Sequence, residues 1–182
     1  MSNTISTTKS EIIKDRQVVA DSWTVLRLSE GQTAATVIVP AGNVIVPLTV
    51  WQEQRATLLS RKDIGVWIAS AERAETIAAD VHVLPLIAID FPKFSDGRGY
   101  SIAYTLRGKL NFTGELRAIG DVLRDQLFYM QRVGFNAFAT RADRDIHDAL
   151  KGLTDFSDSY QTSIDQKTPL FRRVERPTGA GA

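Results

Sequence analysis

The residues best suited to chemistry follow a strongly apolar segment near the middle of the chain. Asp96 to Tyr100 read D-G-R-G-Y, with Arg98 between two glycines. Such a loop can offer backbone N–H groups and a guanidinium to a phosphate, a sulfate or a carboxylate. Ile102 stands where the dinucleotide-binding fingerprint needs a third small residue, which argues against a nicotinamide site of the usual kind. The alternative is structural: Asp96 caps a helix and the glycines form the turn.

Asp90 ends the same apolar segment, and Lys93 follows it in the loop. A carboxylate at the end of a strand could act as an acid or a base, ligate a metal, or anchor a neighbouring arginine. Arg98 and Arg117 are the expected anchoring partners. Asp90 is therefore the candidate catalytic residue, and the anchoring alternative stays open.

Further charged residues follow the next two apolar segments. Asp121 is explained most simply as a helix cap, and Arg124 as part of a solvated helix face. His147 follows Asp143 by four positions, but two ligands are too few for a metal site, so none is predicted. The predicted cluster, suited to an anion or an acidic partner, consists of Lys93, Asp96, Arg98, Tyr100, Asp121, Arg124 and Arg141.

The elements that must position these residues alternate between short apolar runs and amphipathic stretches. The runs at 44–46, 64–69, 83–89, 115–119 and 135–139 are typical of strands, and helical periodicity lies between them. The near-continuous run at 83–89 indicates a parallel strand buried on both faces. About five strand–helix units predict an α/β fold with a mainly parallel sheet, either a partial (β/α) barrel or an open layered sheet. In both, the strand C-termini gather at one edge, where ligands usually bind.

Turn residues and composition shifts set the expected boundaries. A short β-arm or hairpin is predicted around residues 20–22, within 17–28. Ser70 is the expected cap of a helix that ends near Asp80. The predicted division is a flexible arm at 1–15, one α/β domain at 16–162 and a flexible tail at 163–182, with the last clear helix at 141–153.

Composition excludes several classes of function. The 182 residues contain no cysteine, which removes disulfides, thiolate nucleophiles and cysteine-ligated clusters. A net charge of +1 gives no overall field toward nucleic acid, so no such partner is expected. No apolar run approaches the ~20 residues of a membrane span, and residues 1–10 lack the apolar core of a secretory signal. A cytoplasmic protein is expected; the cofactor, if any, is unknown.

The helix expected at 122–133 carries an aromatic surplus. Phe128, Tyr129 and Met130 are consecutive and cannot all face one core. Burial against another element of the chain is the first interpretation. A seam between copies of the chain is the alternative.

Three segments resemble a known family: F-P-K-F-S-D-G-R-G-Y-S at 91–101, G-E-L-R-A-I-G-D-V-L-R-D-Q-L at 114–127 and R-V-G-F-N-A-F at 132–138. They are similar to a family of small bacterial proteins of unknown function whose genes commonly lie beside assimilatory sulfite reductase genes. Its members are often labelled as probable oxidoreductases of sulfite reduction. The resemblance covers residues 16–162 and brings no established catalytic residues with it.

The resemblance implies an accessory protein of assimilatory sulfite reduction that binds or assists sulfite reductase, with electron delivery as one form of assistance. A protein without cysteine cannot hold a cysteine-ligated cluster of its own, whereas a sirohaem sulfite reductase already has a redox centre. Two alternatives remain. One is an enzyme that binds a small anionic substrate at the C-terminal edge of a partial (β/α) barrel, with Asp90 as acid or base; the other is a homo-oligomeric scaffold.

Overall fold

The computed structural model of the chain describes residues 11–173. The strands are β1 (Glu11–Lys14), β2 (Gln17–Ala20), β3 (Thr24–Val25), β4 (Val44–Pro47), β5 (Ile64–Ala69), β6 (Leu86–Phe91), β7 (Glu115–Gly120) and β8 (Ala137–Phe138). The helices are α1 (Leu48–Leu58), α2 (Arg98–Gly108), α3 (Arg124–Arg132), α4 (Ile146–Lys151) and α5 (Leu170–Arg173), with 3₁₀ turns at Ala74–Ile77 and Gly152–Thr154. None of these helices is both long and apolar enough to cross a membrane.

All eight strands join one sheet in the order β2-β1-β8-β7-β6-β5-β4-β3. From β3 to β8 each strand lies parallel to the one before it, which is the strand order of a (β/α) barrel. The hairpin of β1 and β2 attaches antiparallel to β8. The predicted fold class, a mainly parallel α/β sheet of partial-barrel type preceded by an N-terminal β-arm, is confirmed.

The connection between the sheet edges requires a strong curl. β2 and β3 are the two edges, yet only residues 21–23 separate them in the chain. A segment of that length spans at most about 14 Å. The sheet therefore bends into a half-barrel until its edges lie that close, with a concave and a convex side.

Strand β6 is buried on both of these sides. Ile87 and Ile89 belong to the large core that the convex side shares with the helices. Leu86 and Ala88 face the concave side, where Trp67 packs against a smaller apolar cluster. This double burial explains the near-continuous apolar run and confirms the prediction that the strand is central.

The concave side also contains a buried ion cluster. Arg117 of β7 is 1% exposed. Its guanidinium donates to both carboxylate oxygens of Asp21 at 2.9 Å and to Glu115 at 2.7 Å, and Lys14 contacts Glu115 at 2.8 Å. Because Asp21 lies in the segment that joins the two sheet edges, this cluster ties that segment to the middle of the sheet.

The N-terminal strands differ from their prediction. The hairpin turn lies at Asp15 and Arg16, both with positive φ, rather than around residues 20–22. The strands on either side of residues 20–22 are β2 and β3, which lie at opposite edges. Residues 11–14, expected in a flexible arm, form β1, since Ile12 and Ile13 are buried. Residues 1–10 and 174–182 of the expected arm and tail lie outside the described residues, whereas 170–173 form α5.

Two helices also differ from prediction. The helix expected at 70–80 is reduced to the 3₁₀ turn Ala74–Ile77, and Ser70 does not cap it, because its hydroxyl donates to Asp96 at 2.6 Å. The helix expected at 141–153 begins only at Ile146. Its cap is Asp145, whose side chain accepts the backbone N–H of His147.

Candidate functional site

Most of the predicted charged cluster lies at the C-terminal edge of the half-barrel, here called the mouth. Asp90 is the last residue but one of β6, and the loops after β6, β7 and β8 carry Lys93, Asp121 and Arg141. Asp121 joins the three loops, since it accepts the backbone N–H of Phe94 at 2.8 Å and a hydrogen bond from Arg141 at 3.2 Å. Parallel strand order thus brings these residues to one edge, as the sequence indicates.

The polar side chains of the D-G-R-G-Y segment form hydrogen bonds with other residues of the same chain. Arg98 donates to Asp96 through Nε at 2.9 Å and Nη2 at 2.7 Å. Hydrogen bonds from Arg98, with a further one from Ser70, hold the pKa of Asp96 well below its usual range. A Cβ on Gly99 would lie 2.6 Å from the ring of Phe91, so tight packing requires this glycine. These contacts favour a structural role for the segment, although the prediction that Asp96 caps the helix is wrong, because the N-cap of α2 is Gly97 and has no side-chain cap hydrogen bond.

Two other members of the predicted cluster face elsewhere. Tyr100 packs edge-on against Phe91 and Tyr129, its hydroxyl accepts from Gln126 at 3.3 Å, and burial raises its pKa. Arg124 pairs with carboxylates beyond α3. Tyr100 lies in the first turn of α2 together with Arg98, but within the described residues no hydrogen bond or ion pair joins the side chain of Tyr100 or of Arg124 to Arg98.

The surroundings of Arg124 form a cavity of about 860 Å³ whose lining contains five acidic and three basic residues. Arg124 pairs there with Asp148 at 3.2 Å and Asp155 at 3.0 Å. Within residues 11–173 no three histidine, aspartate or glutamate side chains are grouped as they would be around a metal ion.

The prediction that Asp121 caps a helix is wrong. The helix begins one residue after Leu123, whose backbone N–H donates to Gln126 at 2.9 Å. Asp121 stands three residues before α3, where its carboxylate is used by Phe94 and Arg141. Gly120, with φ of +93°, makes the turn that places it there.

Asp90 has a partner that neither helical periodicity nor local spacing indicates. Arg27, just beyond β3, donates to its Oδ1 at 2.7 Å and its Oδ2 at 3.3 Å. The expected partners are engaged elsewhere, Arg98 with Asp96 and Arg117 with Asp21 and Glu115. Because both carboxylate oxygens accept from Arg27, the anchoring alternative for Asp90 is favoured over the acid–base alternative.

The loop between β6 and α2, residues 92–97, is here called the β6–α2 loop. Its backbone is fixed at Phe94, whose N–H donates to Asp121 and whose carbonyl accepts from Gln126 at 3.2 Å. The Phe94 side chain is 46% exposed. Lys93 is exposed and makes no ion pair with any residue in 11–173. The loop thus presents an aromatic ring and a free ammonium group on a fixed backbone.

A model of the bacterial protein family of unknown function DUF934 matches residues 65–171. The chain belongs to this family. The matched segment includes Asp90, the β6–α2 loop and the three motif segments of the sequence, whereas Arg27 lies outside it. A search of curated proteins and a search of solved structures each found no match.

Proposed function

We propose that this protein is an accessory component of assimilatory sulfite reduction, which binds sulfite reductase through the β6–α2 loop and assists its reaction. Residues 92–97 are therefore called the docking loop from here on. The motif segments that resemble proteins encoded beside sulfite reductase support the pathway. The fixed docking loop, which is part of the segment matched by the family, supports a protein partner. In this proposal the partner supplies the redox centre; this chain has no cysteine to ligate an iron–sulfur cluster of its own.

The observation that carries this proposal is that the arginines at the mouth are paired with carboxylates, whereas, across residues 11–173, Lys93 is not. Arg27, Arg98 and Arg141 each donate to a carboxylate of the same chain. Lys93 is left with its charge unpaired within the described residues, beside the exposed ring of Phe94. An exposed aromatic side chain with a neighbouring cation on a rigid loop suits the acidic, partly apolar surface of a protein.

Fixed geometry gives such a loop an energetic advantage. Both backbone groups of Phe94 are hydrogen-bonded before any partner arrives. The entropy of ordering the loop is therefore already lost in the free protein, so less of the binding free energy is spent on it. Association should also weaken with added salt if Lys93 contributes by charge.

A binding measurement with purified sulfite reductase tests the proposal. Immobilised wild-type protein should bind the reductase, and the Lys93→Glu/Phe94→Ala double substitution should weaken binding by about tenfold or more. Lys109→Glu is the matched control, because Lys109 is exposed at the other end of α2. Absence of binding by the wild type, or equal binding by the double variant, would refute docking through this loop.

Arg98→Ala separates direct contact from loop support. Arg98 holds Asp96 and Ser70, and its own side chain is largely exposed. If the reductase binds the docking loop, this change should act less strongly than the Lys93/Phe94 change. A larger effect of Arg98→Ala would move the contact to the D-G-R-G-Y segment.

A further inference from the structure

A second feature of the mouth is a cavity at the ends of three neighbouring strands, β3, β4 and β5. Its volume is about 350 Å³, and Arg27, Pro47, Thr49, Trp67, Ala69 and Glu72 are among the lining residues. These residues follow or end β3, β4 and β5, and Asp90 of β6 holds Arg27 beside them. The C-terminal mouth of (β/α) sheets is where ligands usually bind, and this volume suits a small molecule.

Arg27 is held in place by contacts that leave some of its hydrogen-bond donors without an acceptor in the described part of the chain. Its guanidinium donates two hydrogen bonds to Asp90, which is buried, and it stacks 5.1 Å from the ring centre of Trp67. A guanidinium carries five N–H groups, so three remain after the two bonds to Asp90. The side chain is 52% exposed, and within residues 11–173 no other acceptor takes those three groups. They are available to a ligand.

Trp67 adds a second constraint on this arginine. Its indole N–H donates to the carbonyl of Leu26 at 2.9 Å, the residue before Arg27. The ring therefore fixes the backbone that carries Arg27 and also supports its guanidinium. Pre-organised donors of this kind bind a carboxylate with little loss of side-chain entropy.

The negative charge of Glu72 limits which anions the cavity can bind. Its Oε2 accepts the backbone N–H of Ala69 at 2.6 Å, and its other oxygen bonds no residue in 11–173. Arg27 and Glu72 are the charged lining residues, and the charge of Arg27 is already balanced by Asp90, which pairs with it from outside the lining. A doubly charged tetrahedral anion would be repelled, whereas a singly charged carboxylate with a hydroxyl or ammonium donor satisfies both Arg27 and Glu72.

We propose that this cavity binds a small carboxylate that also carries a hydroxyl or ammonium group, with Arg27 contacting the carboxylate and Glu72 the donor. The site is separate from the docking loop and does not depend on the proposed partner. The competing explanation for the Arg27–Asp90 pair is that it only holds the segment after β3 against the sheet. Ligand binding distinguishes the two.

The test follows the tryptophan indole N–H signals of the ¹⁵N-labelled full chain by NMR. The chain has three tryptophans, and Trp67 borders the cavity, whereas Trp51 donates to Asp80 in the core beneath the helices. L-serine and L-lactate, each titrated to about 10 mM, should shift the Trp67 signal and leave Trp51 unchanged. Ethanolamine and inorganic phosphate should not shift it. No shift with either carboxylate, or an equal response to phosphate, would overturn the proposal.

Variants separate binding from folding. Arg27→Gln should weaken carboxylate binding by about ten- to a hundredfold, whereas Arg144→Gln, an equal charge change at an exposed arginine, should not. Should Arg27→Gln alter the Trp51 signal and so disturb the fold, Ala69→Leu serves instead, since it fills the cavity and keeps every charge. Unchanged binding in Ala69→Leu, or in a folded Arg27→Gln protein, would also overturn the proposal.

Discussion

The Arg117→Met substitution should lower the free energy of unfolding by about 3–5 kcal/mol, the cost typical of breaking a buried ion pair. Arg117 makes hydrogen bonds of 2.7–2.9 Å to Asp21 and Glu115. Methionine retains much of the apolar stem, so the loss comes mainly from carboxylates left without their partner. Glu115 keeps Lys14, at 2.8 Å. Asp21 is left as the uncompensated charge.

A double substitution isolates that charge. Combining Arg117→Met with Asp21→Asn should recover about 1–2 kcal/mol relative to Arg117→Met alone. The amide removes the unpaired charge, and its oxygen can still accept the backbone N–H of Trp23, which donates to Asp21 at 3.0 Å. Urea denaturation followed by tryptophan fluorescence and far-ultraviolet circular dichroism measures both free energies. Arg144→Met, at an exposed arginine, should change stability by less than about 0.5 kcal/mol.

Two results would refute this reasoning. A cost below about 1 kcal/mol for Arg117→Met would mean that the cluster contributes no more to the free energy of unfolding than exposed ion pairs do. No recovery in the double variant would mean that the cost does not come from the buried charge of Asp21. Either result would mean that the ion cluster does not tie the segment that joins the two sheet edges to the middle of the sheet.

Two further stability predictions concern single residues. Hydrogen bonds from Arg55 lower the pKa of Asp80 below the ordinary aspartate value of 3.8, so the folded chain holds this proton less tightly than the unfolded chain. The stability that this pair contributes is present above 3.8 and is lost as pH falls through the pKa of the folded chain. On acidification the urea midpoint of Asp80→Asn should therefore fall less than that of the wild type. An equal fall in the two proteins would contradict the assignment. Gly120→Ala should cost at least about 2 kcal/mol, more than Gly31→Ala. Both glycines have positive φ, but a Cβ on Gly120 meets the Phe91 carbonyl and one on Gly31 meets no atom within 4 Å, so equal thermal shifts would contradict this.

The parallel core of the fold is predictable from the sequence because its signals are local. Apolar runs alternate with helical periodicity, and β6 shows its double burial in a continuous apolar run. The β1–β2 hairpin is not predictable in this way. Its turn uses Asp15 and Arg16 with positive φ and contains no glycine, so the usual turn signal is missing.

The candidate site is only partly predictable for the same reason. Strand ends indicate which loops share an edge, and Asp90, Lys93, Asp121 and Arg141 do lie at the mouth. Pairing between charges depends on contacts that are distant in the chain. Arg27 lies 63 positions from Asp90, and no periodic pattern connects them. Sequence therefore predicts the place of the charges but not which of them neutralise one another.

The most direct measurement of the central claim is growth of a bacterial host that carries this gene, with sulfite as its sulfur source. Deletion of the gene should slow growth on sulfite, and supplied cysteine should restore it. Wild-type protein and Lys109→Glu should complement the deletion, whereas Lys93→Glu/Phe94→Ala should not. Growth of the deletion strain on sulfite at the parental rate would contradict a role in sulfite reduction, and full complementation by the double variant would contradict docking through residues 92–97.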